Sequence, residues 1–288
     1  RLLYFEHGAS MGEINALRFP MTNLRSKHPK HVRGATLIKI DVDEQPLKAR
    51  NQSYGSLREA YPDDYDRAFA VLEKYDCFDK IPESVRTFLK KRDQRYIHPT
   101  EAELNQRPYY EFRVSGPEYM MEAARDKAVS MGINASIVVT SLNDIETRPV
   151  AETFATIARE AEAVGAPLEP PCLFISGGEL VVKTGNSTGS GGRNQEFAVS
   201  AAGRIAGSKN IVIASADCDG TDGPTDTAGG IVDGYTLGRS TQAGIDLPRE
   251  LANHNTHHVL KALGDTIDIR RGANVRDLRV VYVSNLAG

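Results

Sequence analysis

A chain of 288 residues that is 40% hydrophobic can fill one large core or two ordinary ones, which places it among globular proteins. Its 35 basic and 38 acidic residues leave a formal charge of -3, no electrostatic footprint for nucleic acid or a membrane surface, so a small-molecule partner is expected. No apolar run reaches the roughly 18 residues of a membrane span, and RLLYFEHGAS lacks the basic start and long apolar stretch of a signal peptide, so a cytoplasmic protein is expected.

The chain starts at Arg1 and runs at once into GASMGEIN, which reads as the interior of a fold; further sequence is expected upstream or on another chain. ATLIKIDV, residues 35–42, is apolar and β-branched, as a buried strand would be, and places Asp41 near a strand end. The polar, aperiodic DEQPLKARNQSYGS reads as a loop, YDRAFAVLEKY and PESVRTFLKKR as helices, and HPTEAELNQRPYY as a Pro-marked linker. A boundary is expected near residue 108. Beyond it the order becomes regular: strand YEFRV, helix PEYMMEAARDKAVSMG, strand ASIVVT, helix VAETFATIAREAEAVG and strand CLFISGGELVVK. Helix QEFAVSAAGRIAG, strand NIVIASA, an Asp-rich loop, helix YTLGRSTQAG, a single His-rich helix ELANHNTHHVLKALG and strand LRVVYV complete the series. Such alternation predicts an α/β layered domain.

Two loops carry chemistry. GNSTGSGG, residues 185–192, lies between LVVKT and a helix that starts near Asn194, and it ends in Arg193. Glycines let backbone N–H groups turn toward an anion, a helix N-terminus adds partial positive charge, and Arg193 offers a fork for two phosphate oxygens. Neither GxGxxG nor GxxxxGK[ST] is matched, and a flexible connector with ordinary capping is the competing reading. The second loop sets Asp217, Asp219, Asp222 and Asp226 among turn residues directly behind NIVIASA. Carboxylates at strand ends suit sugar-acid hydroxyls, or a magnesium held through Asp219 and Asp222 with phosphate completing the shell. Asx-turns and caps account for one or two of the four.

With both loops in view, the chain resembles the class II glycerate 2-kinase family, whose carboxy-terminal portion is the MOFRL domain. GASMGEINALR resembles GAS-x-x-EIN-x-x-R, SGGEL the SGGE-T strand, GGRNQEFAVSAA the GGRNQE helix start, and DGTDGPTDTAGGIVDG the DG-x-DGPTDAAG-x-x-VDG loop. The likeness covers nearly the whole chain and is strongest over residues 173–239. It implies two layered α/β domains with a cleft between them, the amino-terminal one incomplete: residues 1–108 as the end of a Rossmann-like kinase domain and 109–288 as a MOFRL-like domain. It also implies ATP-dependent phosphorylation of D-glycerate at the 2-hydroxyl, with magnesium. Two stretches depart from the pattern. SDV-x-GD…ASGPT stands as IDVDEQPLKARNQSYGS, keeping Asp41, and GPTGTNV stands as IRRGANV, keeping Gly272, Asn274 and Val275. A family lysine falls upstream of Arg1.

By that resemblance Asp41 and Arg193 are the expected catalytic pair, Asp41 serving the acceptor hydroxyl and Arg193 clamping phosphate or carboxylate. Gly191, Gly192, Asn194, Glu196, Asp219, Asp222, Asp226 and Asn274 are the expected binding residues. Glu13, Asn15 and Arg18 either line the same cleft or form one face of a helix. His254, His257 and His258 have helical spacing, but no HExxH or carboxylate partner accompanies them, so a solvated or cleft-facing helix is expected instead of a metal site. Cys77, Cys172 and Cys218 form no CxxC pair and read as idle or buried thiols. The competing functions are a non-catalytic or altered-specificity binding subunit and a hydroxypyruvate reductase, a name some family members carry; the second needs a nicotinamide, and GxGxxG after a strand is missing. Association with an amino-terminal half, or a homodimer, is the expected assembly.

Overall fold

The computed structural model describes residues 3, 7, 9–22, 27–32, 34–42, 60, 64–106, 108–270, 272 and 274–285. The loop expected after Asp41, Gly8 of the GAS segment and two residues of IRRGANV therefore lie outside the described residues. The chain divides into two units, Arg1–Asp41 with Asn51–Phe112, and Val42–Arg50 with Arg113–Gly288.

The first unit is mainly helical: α1 (Met11–Arg18), α2 (His28–His31), α3 (Asp64–Lys74), α4 (Glu83–Lys91) and α5 (Glu101–Asn105). α1 begins where it does because Ser10 and Glu13 form a reciprocal capping box, each side chain meeting the other's backbone N–H. Glu13 also accepts from Lys74 at 2.5 Å and from Tyr75 at 2.9 Å, and the Lys74 bond foremost holds its carboxyl down at about 2. The same logic makes α5 a helix inside the stretch expected as a linker: Thr100 and Glu103 cap each other, and a five-residue turn needs no long periodic pattern to form. Buried Lys27 donates to the carbonyls of Phe19, Thr22 and Tyr96, and burial lowers its ammonium to about 8. Asp64 meets His98 through both its ring Nδ1 and its backbone N–H, inside a unit whose core is built from Tyr65, Ala68, Leu72 and Leu89.

β1 (Leu37–Val42) and β2 (Tyr109–Ser115) form a two-stranded sheet. The buried strand expected at ATLIKIDV is corrected here: burial alternates along β1, and Ile38 and Ile40 are 58% and 72% exposed.

The second unit contributes α6 (Pro117–Ser130), β3 (Asn134–Val139), α7 (Thr147–Val164), β4 (Cys172–Gly178), α8 (Arg193–Ile205) and β5 (Ile211–Asp217). β6 (Gly229–Asp233), α9 (Thr236–Gln242), α10 (Leu247–Ala252), α11 (Thr256–Leu263), β7 (Thr266–Ile267) and β8 (Asp277–Val283) follow. The sheet order is β3-β4-β8-β5-β6-β7, with β3 and β4 parallel and the other neighbours antiparallel. The mixed α/β architecture agrees with the α/β expectation. α8 is buried almost from end to end, because Ala198, Ala201 and Ala202 let it approach the alanines of α7, Ala151, Ala155, Ala158 and Ala161, closely. Phe154, Phe174, Phe197, Ile213 and Val281 fill the space between these helices and the sheet.

The single His-rich helix of the sequence reading is in fact two. His254 takes a left-handed backbone conformation at φ 51, which ends α10 and lets α11 start two residues later. Among the described residues no helix is long and apolar enough to cross a membrane.

Candidate functional site

Register brings the site together. The end of β4, the start of β8 and the end of β5 lie side by side, so that Gly178 pairs with Asp277 and Asp277 with Asp217. α8 points its first turn at this row. Arg193 donates through Nε to Asp277 at 2.8 Å and through one terminal nitrogen to both Asp277 and Asp217. Its other terminal nitrogen lies 3.3 Å from Glu179. Beneath it, wholly buried Arg279 donates to Asp277 at 2.6 Å and to the Gly178 carbonyl. Burial works against the charge of Arg193, but the hydrogen-bonded Asp277 and the charges of Asp277, Glu179 and Asp217 outweigh it and hold the guanidinium above its ordinary range. Burial, then the neighbouring Asp277 carboxylate, push Asp217 up to about 7 against the pull of Arg193. Arg193 therefore bridges the carboxylates of Asp217 and Asp277.

The helix start itself is filled from within. The Asp222 carboxylate accepts from the backbone N–H of Asn194 and of Gln195, and from both side-chain amides, at 2.9 to 3.3 Å. Asn194 continues the chain of bonds to Asp277 at 3.0 Å and to Ser215 at 2.5 Å. A buried carboxylate facing four donors at a helix N-terminus is a capping group, stabilised by those N–H groups and by the helix dipole. This corrects two expectations. Asp222 is not placed as a magnesium ligand, since its oxygens face inward to donors; and the first turn of α8 is not an open phosphate cradle, since two of its N–H groups are satisfied by Asp222.

The end of the Gly-rich loop, from Gly189 to Gly192, is packed, while Gly185 stands in open space. A Cβ on Gly189 would lie 2.0 Å from the Asn253 carbonyl, and one on Gly192 would lie 2.3 Å from the Asp222 carboxyl carbon. Ser190 accepts from the His257 backbone N–H, so the loop is strapped to the α10–α11 turn on one side and to the Asp loop on the other. Gly189, Gly191 and Gly192 are needed for this close approach of the backbone to its neighbours.

The other expected residues are distributed around this centre. Glu196 is buried and accepts from Arg148 at 2.5 Å, with His254 Nδ1 3.0 Å away. His257 Nδ1 lies 2.9 Å from the Gln195 side-chain oxygen, so this histidine orients the amide that caps Asp222. His258 is exposed. Asp219 accepts from the Thr221 N–H and hydroxyl and, through its own N–H, donates to Asp217. Asp226 is 86% exposed, 3.9 Å from His257, and Asn274 is exposed with its side chain accepting from the Arg276 N–H. Among the described residues no three His, Cys, Asp or Glu side chains converge as a metal site. With Asp222 turned inward, the described residues of the two loops do not fit a protein-held magnesium.

Asp41 belongs to the first unit, where it meets Lys39 Nζ at 2.6 Å, and Lys39 also reaches Glu111 at 3.0 Å. In the same unit Glu13 is a helix cap, Asn15 is buried, and Arg18 is exposed. Sequence reading missed Asp277, Arg279, Glu179 and Arg276 as members of the site. The signal was present for two of them: Asp277 and Arg279 sit in the otherwise apolar strand DLRVVYV, and charges in a buried strand require partners.

Comparison with known proteins finds relatives over the region that holds most of these residues. The MOFRL family model matches residues 172–277, from the start of β4 to the start of β8. The chain is 32% identical to a protein named glycerate 2-kinase from Pyrococcus horikoshii, over 99% of this chain and 64% of the relative. It is 34% identical to D-glycerate 2-kinase from Thermotoga maritima, over 94% of this chain and 62% of the relative. The crystal structure of glycerate kinase from Thermotoga maritima superposes with a TM-score of 0.79 at 30% identity, covering 97% of this chain and 65% of that one. The chain thus spans a little under two thirds of the length of these relatives.

Proposed function

Residues 172–277 belong to the MOFRL family and the whole chain is a relative of the glycerate 2-kinases, and from that premise we propose that it phosphorylates D-glycerate with ATP. The 2-hydroxyl is the acceptor in this reading. Its oxygen attacks the γ-phosphorus, the bond to the ADP oxygen breaks, and the hydroxyl proton passes to a base. Asp41 is the proposed base, and residues 1–108 are the proposed end of a Rossmann-like domain that carries it.

One observation carries the reading: Arg193 of the GGRNQE segment is held rigidly by Asp217 and Asp277 while one terminal nitrogen faces outward toward half-exposed Glu179. Phosphoryl transfer asks for positioning and charge neutralisation more than for covalent chemistry. A guanidinium whose inner edge is locked loses little freedom when its outer edge meets an anion.

The test is ADP release from the full-length protein given ATP, magnesium salt and a panel of small hydroxy acids. D-glycerate turnover is expected. Arg193→Lys keeps the charge but cannot hold two aspartates and a ligand at once, and is expected to lower kcat about 10²–10³-fold, the scale of a lost charge-stabilising donor. Absence of turnover with every acid would remove the kinase reading in favour of a binding subunit.

A further inference from the structure

The fold presents Glu179 and Arg276 together at the outward edge of Arg193. Asn143 joins them: its side-chain oxygen accepts the Glu179 N–H at 2.9 Å and an Arg276 guanidinium nitrogen at 2.8 Å. Arg276 stands immediately before β8 with φ 71, a left-handed conformation uncommon for a residue with a long side chain. The Glu179 carboxylate then bridges two guanidiniums, one oxygen 3.3 Å from Arg193 and the other 3.3 Å from Arg276.

The cations are firmly placed and the anion is not. Arg193 and Arg276 are 22% and 11% exposed, whereas Glu179 is 42% exposed, and its contacts are longer than the roughly 2.7–2.9 Å of a close charge-assisted bond. We propose that Arg193 and Arg276 form a binding site for the carboxylate of a small acid, and that Glu179 is an internal occupant that swings into solvent when the ligand arrives. The incoming group meets the same two guanidiniums, and the displaced side chain, already half in water, loses little by leaving. The present occupant indicates the ligand class: a carboxylate already spans the two guanidiniums, with one oxygen on each. The inference rests on the proposed function only for the identity of the acid.

Calorimetry on the full-length protein tests it with D-glycerate, lactate, tartrate, glycerol and ATP. Arg276→Gln is expected to weaken D-glycerate about tenfold or more while leaving ATP unchanged. Arg276→Lys gives a smaller loss, and Glu179→Gln tightens D-glycerate severalfold by removing the competing charge. Glycerol, which lacks the carboxylate, responds to none of them. A purely structural ion pair predicts the opposite pattern: Arg276→Gln and Glu179→Gln shift melting together and move affinity in one direction or not at all, which would overturn the proposal. Opposite shifts seen with lactate or tartrate but no D-glycerate binding would keep the carboxylate site and discard the proposed substrate. D-glycerate binding blind to both substitutions would do the reverse, and a parent protein that binds no carboxylate would end both.

Discussion

Replacing Asp222 by asparagine separates a structural cap from a metal or phosphate ligand. The Asp222 carboxylate accepts from two backbone and two side-chain N–H groups of Asn194 and Gln195, and the residue is completely buried. Asparagine keeps the shape but turns one of the two oxygens into a donor that faces donors. Roughly half of the four bonds then lose their acceptor in a site closed to water, at about 1–3 kcal/mol for each buried group left unsatisfied. The loss of a charged helix cap belongs to the same sum, so about 2–5 kcal/mol of stability is expected to disappear. For a unit of this size about 1 kcal/mol moves the melting midpoint by roughly 2–4 °C, so Asp222→Asn should melt about 5–15 °C below the parent. Differential scanning calorimetry and urea unfolding on the full chain would measure this, with ADP release on the same samples at 15 °C, where the variant is still folded. A midpoint within a degree of the parent, combined with lost turnover, would refute the capping assignment and restore Asp222 as a ligand.

A pH effect follows from Asp217. Its folded pKa is raised to about 7 from 3.8, so the folded state binds the extra proton between those values, and stability from this group is greatest at low pH and is lost as pH rises toward 7. For this buried group the change between pH 5 and pH 8 is about 2–3 kcal/mol, and over that interval the urea midpoint should fall further for the parent than for Asp217→Asn. Gly189→Ala forces a methyl to within 2.0 Å of the Asn253 carbonyl, a backbone atom that cannot rotate away, and should cost about 1–3 kcal/mol in thermal unfolding; an unchanged midpoint would mean that the strap is loose. Asp41→Asn removes a half-buried partner of Lys39 and should alter stability by less than about 1 kcal/mol, yet lower turnover about 10²–10⁴-fold when the whole protein is assayed; full activity in the variant would remove Asp41 from catalysis.

What could be read along the chain was local in its physics. The order of elements from β2 to β5 follows from apolar periodicity and from Pro and Gly punctuation, so helices such as α7 and α8 lie close to where their patterns place them, whereas the short strands β6 and β7 carry no periodic signal and escape a reading of the sequence. GGRNQE and DGPTD could be recognised as strings, and they flank the structural centre. The errors also have local causes: α5 is a five-residue helix made by one capping box, and the α10–α11 break depends on a single left-handed residue, His254, inside a run with continuous helical spacing. Only the tertiary structure decided what the motif residues touch. Arg193 meets Asp277 across 84 positions and Asn194 meets Asp222 across 28, distances set by strand register and helix packing, which no window of sequence contains. For that reason Asp222, readable as a ligand in its loop, closes the start of α8 instead, while Asp277, unremarked in sequence, locks the inner edge of Arg193 and Glu179 and Arg276 stand at its outward edge. A charged residue in a string is a potential partner for any opposite charge, and burial beside one particular neighbour is what selects among them.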